Sequence, residues 1–192
     1  MNAAPWIILF APLASAFVIV LITERAKKLS SYISVAAIAV SFVFSLGVFA
    51  GPDGSAGLTW IDLGSFKVII GYLINDLTKL MLLVVTGVGL LIHIYSIGYM
   101  SHDKGRSRYF AGLSLFTFSM LGIVLANNFI MMFIFWELVG FSSYLLIGHW
   151  FYRPAPRTRP IRRSLQTGLE TSDSCSAFFL SGWDPGQSHS MN

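Results

Sequence analysis

The sequence predicts an all-α polytopic membrane protein with about five transmembrane helices, an external hairpin-like loop between the second and third, and a polar C-terminal tail. Composition is the first reason. Of 192 residues, 55% are hydrophobic and only 11% charged, and the mean hydropathy of +0.68 lies outside the range of soluble domains. The second reason is length: apolar runs long enough to cross a hydrocarbon core ~30 Å thick recur along the chain. The third is the placement of Lys and Arg, which alternates between successive connections.

The runs lie at Trp6 to Ile22, Tyr32 to Ala50, Asp76 to Met100, Tyr109 to Ala126 and Phe129 to Trp150. Every backbone N–H and C=O must be satisfied internally in lipid, so runs of this length are helices. No basic segment precedes the first run, and "TERAKK" follows it, which predicts an uncleaved first span and not a secretory leader. Arg25, Lys27 and Lys28 follow span one, Lys67 follows span two, and Lys104, Arg106 and Arg108 follow span three. "NN" at Asn127 and Asn128 joins spans four and five without charge, and five arginines from Arg153 to Arg163 follow span five. This alternation predicts an external N-terminus. It also accounts for the net charge of +4 without a nucleic-acid partner.

Between spans two and three, "GPDGSAGLTWIDLGSFKVIIGYLIND" mixes turn formers with short alternating stretches. An external β-hairpin or a surface-lying segment is expected there. Asp76 and Lys79 open the third span three residues apart, where they can pair at the interface while the lysine stem snorkels. No internal repeat, P-loop, dinucleotide fingerprint, heme motif or cysteine cluster is present, and Cys175 is the single cysteine, so nothing reads as a site for a soluble redox cofactor or a metal.

One carboxylate interrupts the fifth run, Glu137 in "FIFWELVGFSSYLLIG". A charge at the centre of a membrane helix costs roughly 2.5–3.5 kcal/mol on insertion scales. Helical spacing puts Gly140, Tyr144 and Gly148 on its face, a stripe of small and polar groups expected to point into the bundle and to admit a neighbouring helix. Glu137 then serves either as a neutral or paired carboxylate that fixes packing, or as an ionisable group on a proton or ion path. On span three, Thr86, Gly89, His93 and Ser96 share a side, and His93 reads equally as a relay or as a hydrogen-bonded interior residue. His149 and Trp150 read as interfacial belt residues.

"LMLLVVTGVGLLIHIYSIGYM", "RYFAGLSLFTFSML" and "NNFIMMFIFWELVGFSSYLLIGHWFYRP" resemble the N-terminal part of the antiporter-like L chain, or subunit 5, of proton-pumping NADH:quinone oxidoreductase, respiratory complex I. The resemblance runs from Met1 to Pro154. The large subunit of multisubunit cation/proton antiporters shares the "WE" helix and is the alternative, but "VTGVGLLIHIYSIGYM" is closer to the oxidoreductase version. The resemblance implies that Glu137 matches the family's essential glutamate on the fifth helix, whose charge responds to a lysine on a broken seventh helix. It implies no catalytic redox residue in this chain, with NADH, flavin, iron–sulfur clusters and quinone held by other subunits. The implied partners are those membrane-arm subunits and the lipid bilayer, in a bacterial or mitochondrial inner membrane.

The region 1–154 is thus expected to be the transmembrane part, and 155–192 a polar tail that departs from the family, where a sixth apolar helix is expected. Back-translating "QTGLETSDSCSAFFLSGWDPGQ" and reading two bases along permits NRVGDFGFLFGIFLIWVGSGT, which resembles the family's sixth helix with its buried aspartate. The tail is therefore expected to be an out-of-frame translation, or else a disordered basic segment, and a nonfunctional truncated product is a further alternative. Sequencing the locus across Ala155 to Gln187 checks this, since the expectation requires the apolar helix to be open in a second frame.

Overall fold

The computed structural model describes residues 3–22, 27–62, 67–101, 103 and 105–148. His149, Trp150 and the whole tail lie outside the described residues, as do Arg25, Lys104 and the side chains of Lys27, Lys28 and Lys67. The element order is α1 (Ala4–Ile22), α2 (Lys27–Phe49), β1 (Gly54–Asp62), β2 (Lys67–Ile74), α3 (Asp76–Tyr99), α4 (Arg106–Leu125) and α5 (Phe129–Ile147). All five helices are long and apolar enough to cross a membrane. The segment between the second and third folds as a hairpin, β1 and β2 pairing antiparallel from Gly54 opposite Ile74 to Asp62 opposite Lys67, with a register shift between Thr59 and Ile61.

Helix starts are set by local chemistry that an apolar count does not see. Asn75 and Asn128 cap α3 and α5, their side-chain oxygens accepting from the backbone N–H of Thr78 and Met131 at 2.8 Å each. Each cap satisfies one of the orphan donors of a first turn. At the start of α4 the Gly105 N–H donates to Asp103 Oδ1 at 2.7 Å.

α4 is the centre of the bundle, with α1, α2, α3 and α5 packed around it. One core cluster gathers Ile8 and Leu9 of α1, Val48 of α2, Tyr72 and Ile74 of β2, Leu82 of α3 and Leu121 and Leu125 of α4. Tyr72 ties the hairpin down, its ring edge-on to Trp6 at 5.8 Å and its backbone bridged to Ala126. Toward the other end, Ile19, Met100, Phe110 and Ala111 form a second cluster.

Apolar area cannot by itself drive one helix against another in lipid, so polar contacts choose the registers. Ser30 donates to Ser107 at 2.9 Å, and Ser34 and Ser114 share a bond of 2.6 Å, joining α2 to α4. Ser45 and Thr86 share one of 2.9 Å, joining α2 to α3. The serines of α2 recur at offsets of four and seven residues, the seam spacing of a left-handed helix pair, and Ser107 and Ser114 of α4 are seven apart. Arg106, only 7% exposed, donates from a terminal guanidinium nitrogen to Ser31 Oγ at 2.6 Å.

Pro12 lies inside α1. Proline has no N–H, so the carbonyl four residues back loses its intrahelical partner. That carbonyl belongs to Ile8, and the Ser41 hydroxyl of α2 donates to it at 3.0 Å. This is how a membrane bundle tolerates a proline: a neighbouring helix satisfies the freed group. Ser41→Ala is expected to destabilise the bundle by about 1–3 kcal/mol, the cost of an orphaned buried acceptor. Denaturation in mixed micelles should show that loss shrink in a Pro12→Ala background, where the helix supplies its own donor.

Lys79 pairs with Asp76 as the spacing predicts, and the structure adds a closer partner. Its side chain is 10% exposed, and the ammonium is 2.5 Å from Asp53 Oδ1 and 3.8 Å from Asp76 Oδ1. Lys79 lies on the buried side of α3 with Leu82, Thr86, His93 and Ser96, so its stem crosses to the segment joining α2 to β1. Asp53→Asn is therefore expected to loosen the hairpin more than Asp76→Asn, read as faster amide exchange in β2.

Candidate functional site

The α5 helix meets α4 through large side chains set against missing ones. Phe135 stacks edge-on to Phe118, ring centroids 5.4 Å apart, and its ring occupies the space that a Cβ on Gly122 would need. Leu146 fills the corresponding space at Gly112, where its Cδ1 would be 2.7 Å from an added Cβ. Met131 and Ser142 are the buried residues of α5 and lie on the same side as Phe135 and Leu138. The tight small residues of this interface therefore belong to α4.

Glu137 sits two residues beyond Phe135, about 200° around the helix at ~100° per residue. It is half-buried. Gly140, Tyr144 and Gly148 share its face, as the spacing predicts, but that face turns away from the α4 seam. Gly140 and Gly148 are exposed, Tyr144 is 48% exposed, and a Cβ on either glycine meets nothing within 4 Å. The expectation that this stripe points into the bundle and admits a helix is not met within the five described helices. Among the described elements α4 is the principal contact of α5, and it takes the opposite face.

The His93 face of α3 lies inside the bundle. Thr86 and His93 are 0% and 1% exposed, Ser96 is 1% exposed, and the His93 Nδ1 donates to the Gly89 carbonyl at 2.7 Å. In the neutral tautomer with its proton on Nδ1, Nε2 is the acceptor nitrogen. Ser96 and Tyr109 share a bond of 3.2 Å one turn further along. Gly89 lies where α2, α3 and α4 meet, yet an added Cβ would be 3.7 Å from Ile38 and 3.8 Å from Thr117, ordinary contact distances. Gly89→Ala is thus expected to change stability by less than about 1 kcal/mol, the difference being offset by its better helix propensity. A loss of several kcal/mol in mixed-micelle unfolding would contradict this placement.

Glu137 and His93 are therefore not brought to one site on one face: His93 is inside the α2–α3–α4 junction and Glu137 on the far side of α5. Sequence reasoning missed Ser31, Ser34, Ser114 and Arg106 as interior partners, and Asp53 as the partner of Lys79. The heptad spacing of the serines was a readable signal, whereas Asp53 with Lys79 was not, because the two are 26 residues apart and joined only by the fold. Among the described residues no three His, Cys, Asp or Glu side chains gather as metal ligands.

Five spanning helices around a hydroxyl-lined interior, with one carboxylate in the middle of the last, define a polytopic membrane subunit carrying an intramembrane acid. Residues 60–110 match the family model described as NADH-Ubiquinone oxidoreductase (complex I), chain 5 N-terminus. The chain is 40% identical over 162 residues to the chloroplastic NAD(P)H-quinone oxidoreductase subunit 5 of Piper cenocladum, covering 78% of this chain and 22% of that protein. It is 42% identical over 158 residues to NADH-quinone oxidoreductase subunit L of Neisseria meningitidis serogroup B, covering 78% and 23%. With the subunit 5 of Chlorokybus atmophyticus it shares 43% over 138 residues, covering 69% and 21%. The chain is thus a homologue of the subunit 5 and subunit L proteins over most of its length, and it spans less than a quarter of these three relatives.

Proposed function

We propose that this chain is an N-terminal membrane portion of an NADH:quinone oxidoreductase subunit and contributes to proton translocation driven by electron transfer elsewhere in the complex. The homology to subunit L carries the reading, and Glu137 in the middle of a spanning helix supports it. Glu137 is the proton-exchanging group in this proposal. His93 and Tyr144 are lesser groups on the path, His93 as an imidazole inside the bundle and Tyr144 as a hydroxyl two turns beyond the acid on the same face.

The stripe of Glu137, Gly140, Tyr144 and Gly148 is the side of α5 where the cationic partner of the acid would approach. NADH, flavin, iron–sulfur clusters and quinone are bound by other subunits, which are the partners of this chain in the complex. A bacterial or mitochondrial inner membrane, with the N-terminus on the outer side, is the proposed location. The test is a chimera in which residues 1–148 replace the matching region of a full-length bacterial subunit L. NADH-driven acidification by vesicles carrying it should approach that of the parent; an assembled complex that oxidises NADH without pumping through this region would overturn the proposal.

A further inference from the structure

A cavity of about 560 Å³ opens between the first residues of α1, the last turns of α2 and the base of the hairpin. Its walls are apolar, from Pro5 and Ile7, from Val43 and Phe44, and from Tyr72, and Gly47 lies on its lining. A Cβ on Gly47 would meet nothing within 4 Å, so that part of the cavity is open. Val43 is 64% exposed and Phe44 38%. Both lie within an apolar spanning helix, so the opening faces the acyl-chain region at the hairpin end of the bundle. An apolar concavity left empty there loses dispersion contacts along its whole lining, and water gains nothing by filling it.

Asp53 is the one carboxylate among the described lining residues. It gives one oxygen to Lys79, yet its side chain remains 59% exposed, and Asp76 beside the same ammonium is 97% exposed. Among the described residues at the rim, two carboxylates face one ammonium. An anionic headgroup is repelled there and a primary ammonium attracted.

We infer that this cavity is a lipid site that takes one acyl chain of a phosphoethanolamine lipid, with its ammonium on Asp53. The inference rests on the membrane reading and not on proton transfer at Glu137.

The experiment uses the full chain in vesicles doped with a phosphatidylethanolamine whose acyl chain carries a diazirine, compared with phosphatidylcholine and phosphatidylglycerol analogues. Photolabel should concentrate in peptides covering residues 3–7 and 43–54 and come preferentially from the ethanolamine lipid. Gly47→Phe, which fills the cavity, should remove that label, while Val88→Phe on the exposed side of α3 should not. Asp53→Asn should erase the headgroup preference, a change of about tenfold, while Lys79→Met, which loosens the hairpin equally but frees the Asp53 carboxylate, should keep or strengthen it. Uniform labelling of all exposed apolar faces, equal labelling by the three headgroups, or unchanged labelling in Gly47→Phe would overturn the inference. So would an adduct in native membranes between a photoreactive residue at position 43 and a polypeptide in place of lipid. If Gly47→Phe fails to fold, the Asp53→Asn comparison decides alone.

Discussion

Glu137→Gln is expected to lower NADH-driven proton translocation roughly tenfold, a change of ~1.4 kcal/mol on the coupled step, in a complex whose subunit contains residues 1–148. The amide matches the acid in shape and keeps hydrogen-bonding capacity, but it cannot bind and release a proton. An uncharged amide is no costlier to hold in the middle of a membrane helix than the acid it replaces, so assembly should be unimpaired. Glu137→Asp keeps the titrating group and should retain most of the activity. A carboxylate that only fixed packing would give the opposite pattern, with weakened assembly and unchanged pumping per assembled complex. Vesicle acidification normalised to complex content separates the two.

Gly122→Leu is expected to have the largest effect on stability. Even a Cβ at this position falls on the Phe135 ring, which is backed by Phe118 and cannot swing aside without opening the α4–α5 seam. Overpacking of this kind costs about 1–3 kcal/mol for small insertions and more for branched ones. Because α4 is the principal contact of α5, the loss should appear as selective release of α5, seen as protease cleavage near Asn127 and Asn128 before the rest of the bundle unfolds. Combining Gly122→Ala with Phe135→Leu should recover part of the cost of the alanine alone, since the two residues share one volume. Equal stability of Gly122→Leu and the parent would contradict the packing described for α5.

The five spans were legible because the constraint that makes them is compositional: a stretch such as Phe129 to Ile147 can satisfy its backbone in lipid only as a helix. The hairpin was legible for a similar reason, alternation bounded by "GPDG" at one end and Asn75 at the other. The direction of each helix face was harder. On α3, Thr86, His93 and Ser96 differ from their apolar neighbours, and that contrast identified the buried side. On α5 the polar and small stripe is not the side that packs on α4. Glu137, Gly140 and Tyr144 were the polar and small groups, yet the side packed on α4 is made by Phe135, Leu138 and Leu146. Lipid and protein interior are both apolar, so periodicity identifies which residues share a face but not what that face meets. Contacts such as Ser41 with the Ile8 carbonyl and Lys79 with Asp53 depend on which helices are neighbours. One helix wheel contains no such information.

The central claim is that Glu137 changes its protonation as the complex turns over. Infrared difference spectroscopy on the chimeric complex, recorded before and after NADH is added, measures this directly. The account predicts a carboxylic-acid carbonyl band that appears or disappears with turnover and is absent from the Glu137→Gln complex. Identical difference spectra from the two complexes, each pumping normally, would contradict it.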